Sequence, residues 1–312
     1  MSYDYRSPVH GRTEPYPYYG EPIDENLWIL LKVRAVCKDW KNIIDRKLWS
    51  AVPARFYQQA AEENRIDIIK NLLEFGEDSN PRNEEDIQLR RSLKLYEKGS
   101  TLLHSAARYG RVEIFNLIVQ NTEELYPIDQ KGATPIHLAA FKGQIEICRI
   151  VMGNTDFSVK NPSDCKGKTP LHLAAKFGHT EISKMLVENI NDVNPADKKG
   201  ITPLHLAAAT AREEICKYIM ERIDNKNPAD EIGTTPLHLA AFKGYTQICR
   251  LILQNIHPDD KHPRTFQWPF HTPLELAHEV MDKGGRFSWR KDNGQRMDKD
   301  DVTALFEGRE NW

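Results

Sequence analysis

The stretch Thr134-Pro135-Ile136-His137-Leu138-Ala139-Ala140 recurs along the chain, and its recurrence limits the fold more than any other feature. It returns with Leu in place of Ile at Thr169–Ala175, Thr202–Ala208 and Thr235–Ala241. Looser copies stand at Thr101–Ala107 and at Thr272–Ala277. The six opening threonines lie 33 to 37 residues apart. A fixed interval of that length is one supersecondary unit, too small to bury its own apolar face, so copies must stack on one another in a line.

Each copy parses into the parts of a helix pair. The threonine opens a first helix, where its hydroxyl accepts an otherwise orphaned backbone N–H. Proline at the first helical position carries the required φ and has no N–H to leave unpaired. The Leu and the Ala-Ala pair make an apolar face small enough for close approach of neighbouring copies. Gly110, Gly143, Gly178 and Gly244 end that helix. Ala211 stands at the glycine position of the fourth full copy, where a positive φ would cost about 1–2 kcal/mol, so a local distortion or a weaker interface is expected there. A second helix follows, such as Gln144–Val151, whose Ile and Val residues build a continuous core. The runs Asn161-Pro162-Ser163-Asp164, Asn194-Pro195-Ala196-Asp197 and Asn227-Pro228-Ala229-Asp230 then start a turn into the next copy. The predicted fold is an all-α solenoid of helix pairs with protruding hairpin-like loops.

A period near 33 with Thr-Pro-Leu-His resembles the ankyrin-repeat family, over residues 99–280. That resemblance implies that His104, His137, His172, His205 and His238 each tie a hairpin loop to its neighbour through hydrogen bonds. It also spaces equivalent atoms of successive copies about 10 Å apart, too far for the five histidines to share one metal ion. No Ser-His-Asp order, Gly-rich phosphate loop or clustered set of carboxylates is present, and the sequence points to no catalysis, metal or cofactor. Cys37, Cys148, Cys165, Cys216 and Cys249 are odd in number and widely spaced, which opposes a disulfide framework or a zinc site. Cys148, Cys216 and Cys249 share one position of the copy and are expected to be small, partly buried helix residues.

Residues 1–20 hold Tyr3, Tyr5, Tyr16, Tyr18 and Tyr19 among prolines and charges, with no apolar period, and are expected to be a disordered tail. Leu30, Val33, Val36, Cys37, Trp40, Ile43 and Ile44 then form one apolar helical stripe. Val36-Cys37-Lys38-Asp39-Trp40 with Leu48-Trp49 is similar to the second half of an F-box, and Ile23–Leu30 is similar to its opening helix. The stretch that separates the two halves in that family is shortened here. The resemblance, over residues 21–50, implies docking of a Skp-type adaptor of a cullin-based ubiquitin ligase through Leu27, Val36, Cys37, Trp40, Leu48 and Trp49. Residues 51–98 are expected to be a degenerate first repeat with an inserted polar loop. In it Ala60-Ala61 matches the later pairs and Asn64 takes the glycine position. Residues 281–312 are expected to be a divergent closing repeat.

With 43 Lys and Arg against 45 Asp and Glu, the net charge of −2 supplies no general attraction to nucleic acid or to an anionic membrane. No run reaches the ~18 apolar residues of a membrane span, and the first twenty residues lack the apolar core of a secretory signal. A soluble intracellular chain, cytoplasmic or nuclear, is expected. In resembling proteins partners lie along the inner curve, against the hairpin tips and the exposed end of the first helix. Carried onto this chain, that face holds Lys131, Lys166 and Lys199 at the tips. After each Ala-Ala come Arg108-Tyr109, Phe141-Lys142, Lys176-Phe177, Ala209-Thr210 and Phe242-Lys243, four of which join an aromatic to a cation. Aromatics beside cations suit an acidic peptide or an acidic protein surface. The segment Arg286-Phe287-Ser288-Trp289-Arg290-Lys291 could stack on a nucleic-acid base, but Asp292, Asp298, Asp300 and Asp301 oppose a polyanion. The sequence therefore predicts a non-catalytic protein-binding solenoid. Its sharper form is a substrate receptor of a cullin-type ligase, and the rival is a free-standing scaffold or inhibitor whose N-terminal helices only cap the array.

Overall fold

The structure, a computed structural model, describes residues 59–70, 100–121, 127–153, 161–257, 271–282 and 289–308. The expected tail, the F-box-like segment with all six of its docking residues, and the polar loop expected within 71–98 lie outside the described residues.

Among the described residues the secondary structure is helical, with no strand. Helical turns at 59–62 (α1) and 66–70 (α2) come first. They are followed by α3 (Leu102–Tyr109), α4 (Val112–Gln120), α5 (Pro135–Lys142), α6 (Ile145–Gly153), α7 (Pro170–Phe177) and α8 (Thr180–Asn189). The array continues with α9 (Pro203–Ala209), α10 (Glu213–Met220), α11 (Pro236–Lys243) and α12 (Thr246–Asn255), and ends with α13 (Pro273–Asp282) and α14 (Lys299–Glu307). Odd-numbered helices from α3 onward stack on one another, even-numbered helices do the same, and each odd helix packs on the even helix that follows it. No helix among the described residues is long and apolar enough to cross a membrane.

The two layers use different side chains for a geometric reason. First helices meet through Ala pairs such as Ala139-Ala140 and Ala174-Ala175, all fully buried, which lets their backbones approach. Second helices present one buried aliphatic pair per helix at i, i+4: Ile147 and Val151, Ile182 and Leu186, Ile215 and Ile219, Ile248 and Ile252. Each such side chain contributes roughly 1.5–3 kcal/mol on burial. Cys148, Cys216 and Cys249 are wholly rather than partly buried in this layer. Burial pushes the Cys148 and Cys216 thiols up to about 12 and raises that of Cys249 as well.

The closing pair departs from the pattern in the side chains of its core. Trp289, Met297 and Phe306 are buried, with the Trp289 and Phe306 rings edge to face at 6.4 Å. Lys291 pairs with Asp301 at 2.8 Å and Arg250 with Asp292 at 2.9 Å, which pins the segment before α14 to α12 and α14. Trp289 therefore belongs to the core of the array's end, and the base-stacking role considered from sequence is closed to it.

Candidate partner-binding face

The face is built on three sets of polar ties that hold successive loops in register. The first is made by the loop aspartates. Asp164 Oδ1 accepts the N–H groups of Lys166 and Lys168, each at 2.8 Å, and Asp129, Asp197 and Asp230 repeat the arrangement. Glycines with φ of 69° to 82° at Gly132, Gly167, Gly200 and Gly233 complete the turns. Neighbouring tips are joined backbone to backbone. Cys165 N–H donates to the Lys131 carbonyl (2.8 Å), Lys198 to Lys166 (2.9 Å) and Glu231 to Lys199 (3.1 Å). In each loop it is the Oδ1 atom of the aspartate that accepts both backbone donors.

The second tie is histidine. In the α5 unit the Thr134 N–H donates to His137 Nδ1 at 3.1 Å. Because a backbone amide can only donate, Nδ1 must be bare and Nε2 must carry the proton. Nε2 then donates to the Lys168 carbonyl, one residue ahead of the next opening threonine, at 3.0 Å. His104, His172, His205 and His238 bridge in the same way to the carbonyls of Ala133, Ile201, Thr234 and His271 at 2.9 to 3.1 Å. Both ring nitrogens are thus engaged. Burial, the leading cause, lowers the pKa of His104 and His137 and brings His172 and His205 down to about 4. The threonine–histidine pair is a capping box in which imidazole replaces the usual Glu. In the last unit Glu275 itself takes the position and accepts the Thr272 N–H at 2.7 Å.

A third tie is not visible in the sequence pattern. In three units the residue after the terminal glycine lies over the end of the preceding first helix. Arg111 Nε donates to the Glu62 carbonyl (3.0 Å), Gln144 to that of Arg108 (3.3 Å) and His179 to that of Phe141 (3.1 Å). A Cβ on Gly110 would come within 2.3 Å of Gln144, and one on Gly143 within 2.7 Å of His179. A side chain at either glycine would therefore displace the donor that makes the tie, besides having to adopt a φ of 67° or 78°. Asn194 and Asn227 do more than the turn role expected from sequence. Their Oδ1 atoms accept the N–H groups of Leu204 and Leu237, ten residues on, at 3.0 and 3.1 Å. The constant spacing from Asn to Leu was the available signal.

On this frame the structure places the sequence-derived residues as follows. Arg108, Tyr109, Phe141, Lys176, Phe242 and Lys243 are half-buried, while Lys131, Lys142, Lys166, Lys199 and Phe177 are exposed. Within each pair the cation lies over its own aromatic. The distances to the ring centroid are 5.8 Å for Arg108 on Tyr109, 5.1 Å for Lys142 on Phe141, 5.5 Å for Lys176 on Phe177 and 5.5 Å for Lys243 on Phe242. The order within the pair alternates, and this brings two units into contact: the Phe141 and Phe177 rings meet edge to face with centroids 4.6 Å apart. Burial, and secondarily the charge of Lys168, lowers the pKa of Lys176. Loop lysine and helix lysine therefore sense one another across the face. Lys142, Lys166, Lys168, Lys176, Lys198 and Lys199 have no carboxylate partner among the described residues.

A family model described as ankyrin repeats (3 copies) matches residues 57–161, 106–197, 154–230 and 189–265, an unbroken run covering more than half of the chain. No curated protein matches it.

Proposed function

The chain belongs to the ankyrin-repeat family, a protein–protein interaction module, and from that premise we propose that it holds an acidic protein partner against the loop tips and the ends of the first helices. The observation that carries this reading is the set of six lysines without carboxylate partners around an aromatic pair, on loops fixed by backbone and histidine ties. Cations already held in place lose little entropy on binding, and an aromatic beside them supplies desolvated contact area. The function is binding, without a chemical step. Charge reversal tests it: Lys142→Glu with Lys166→Glu and Lys199→Glu should weaken partner capture from cell extract tenfold or more, at about 1.4 kcal/mol per factor of ten. An unchanged set and yield of partners would overturn the proposal.

A sharper form rests on Val36–Trp40 and Leu48–Trp49. The 21–50 segment would dock a Skp-type adaptor, and the array would hold the substrate, raising its effective concentration at a separate ligase subunit. The protein should then co-purify with such an adaptor and lose it on Trp40→Ala with Val36→Asp. If no adaptor is retained by either form, the free-standing scaffold or inhibitor is the better description.

A further inference from the structure

The cation–aromatic face changes character part-way along the array. At the loop position whose carbonyl pairs with the next tip, the residues run Lys131, Lys166, Lys199 and then Ile232, with Glu231 beside the last. At the ends of the first helices the pairs run Arg108-Tyr109, Phe141-Lys142 and Lys176-Phe177 before lapsing to Ala209-Thr210. Both series therefore end around α9. Phe242-Lys243 stands beyond that gap, behind a tip that offers Glu and Ile in place of lysine. Lys98 holds the same sequence position ahead of α3, so it is the Phe141–Phe177 ring contact that singles out the units headed by α5 and α7, each of which combines a tip lysine with a complete pair. Phe177 is 38 % exposed, one of two large hydrophobic side chains exposed among the described residues. Phe141 meets it edge to face, which makes an apolar corner with Lys142 over one ring and Lys176 over the other, while Lys166 and Lys199 stand at the tips of the loops that precede α7 and α9.

We propose that recognition is confined to the units headed by α5 and α7 with the α9 loop beside them, and that the occupant is an extended acidic peptide segment carrying one bulky apolar side chain, seated in the Phe141–Phe177 corner. The proposal rests on the reading of this face as the partner site and narrows it. Three stacked units at 8–10 Å each span roughly 25–30 Å, the reach of about eight or nine extended residues. Charge complementarity selects acidic residues on both sides of the apolar one. The corner needs that apolar residue, because a purely acidic strand would leave Phe177 exposed to water.

The probe is a synthetic peptide of about ten Asp and Glu residues with a single central Trp, and a sibling with Ala in place of the Trp. Binding to the full chain is followed by fluorescence anisotropy of an end label. The Trp peptide should bind about fivefold more tightly than the Ala sibling, and Phe177→Ala should abolish that preference while leaving the far-ultraviolet dichroism unchanged. Phe242→Ala with Lys243→Glu should leave both affinities in place. Equal losses from the Phe242/Lys243 variant would spread recognition along the whole array and overturn this inference alone, as would the absence of any Trp preference. An oligothymidylate that displaces the peptide at equal concentration would overturn the choice of a peptide. Peptide binding that is indifferent to Lys142→Glu, Lys166→Glu and Lys199→Glu together would remove the partner face itself.

Discussion

One imidazole in each of five units does two jobs that would otherwise need two residues. It closes the cap of its own helix through Nδ1, in a buried bond, and joins the next unit through Nε2, in a partly buried one. Truncation at His137 would leave the Thr134 N–H unpaired, strip the Lys168 carbonyl of one of its two donors (the Asp164 N–H remains) and open a cavity, so His137→Ala should cost about 2–4 kcal/mol. Gln keeps the acceptor of a capping box but is shorter on the far side. His137→Gln should therefore cost less than His137→Ala, and its loss should fall on the inter-unit contact. Urea unfolding at neutral pH measures both. Equal destabilisation by the two variants would mean that the cap contributes nothing separate.

At the scale of the helix pair, unit α9–α10 is the outlier. Ala211 takes the φ of 58° that glycine takes elsewhere, and α9 ends one residue early, at Ala209. Thr210 serves as its cap, with its hydroxyl on the Leu206 carbonyl at 2.7 Å. The Arg212 N–H still reaches the Ala207 carbonyl at 3.0 Å, matching Gln144 to Ala139 in the α5 unit. The exit from the helix is preserved, and strain at one residue is its cost. Ala211→Gly should accordingly raise stability by about 1 kcal/mol, read as an upward shift in the urea midpoint at constant slope. A fall in stability would mean that unfolded-state entropy outweighs the strain. This break was legible in the sequence, as were the pitch, the proline starts and the glycine stops, because each follows from a backbone demand that one residue type meets best. The carbonyl ties of Arg111, Gln144 and His179 were not legible. What they share is a donor at the end of a side chain of suitable reach, and Arg, Gln and His meet that need without resembling one another. The Phe141–Phe177 contact was hidden for a related reason. The aromatic precedes the cation in one unit and follows it in the next, so no single column of the repeat displays the contact.

Across the whole array the histidines make stability depend on pH, with a sign the geometry fixes. His172 and His205 titrate at about 4 when folded, because burial disfavours the imidazolium and outweighs the pull of Asp197 on both and of Asp164 on His172; Lys168 also opposes the charge on His172. Their reference value is 6.5. Between the two values the unfolded chain binds more protons than the folded one, so stability rises with pH over that window and falls as pH drops through it. A gap of one pH unit between folded and unfolded titration is worth about 1.4 kcal/mol. Each of the two histidines therefore contributes about 3 kcal/mol that is present above pH 6.5 and lost towards pH 4. His104 and His137 act in the same direction. Asp67, Asp292 and Asp301 have lowered values and lose their contribution below the ordinary carboxylate range, outside this window. In a linear array stability is a sum over units and their neighbours, so protonation weakens particular joints first. His172 and His205 hold the joints on either side of the α9–α10 pair, the unit that also carries the strained Ala211. Mild acid should therefore release amide protection in α9 and α10 before α5 and α6, as read by hydrogen exchange at pH 5 against pH 7.5. The double variant His172→Gln with His205→Gln should flatten the rise in urea midpoint over the same range. A slope that survives in that variant would place the acid sensitivity of the array somewhere other than these two joints.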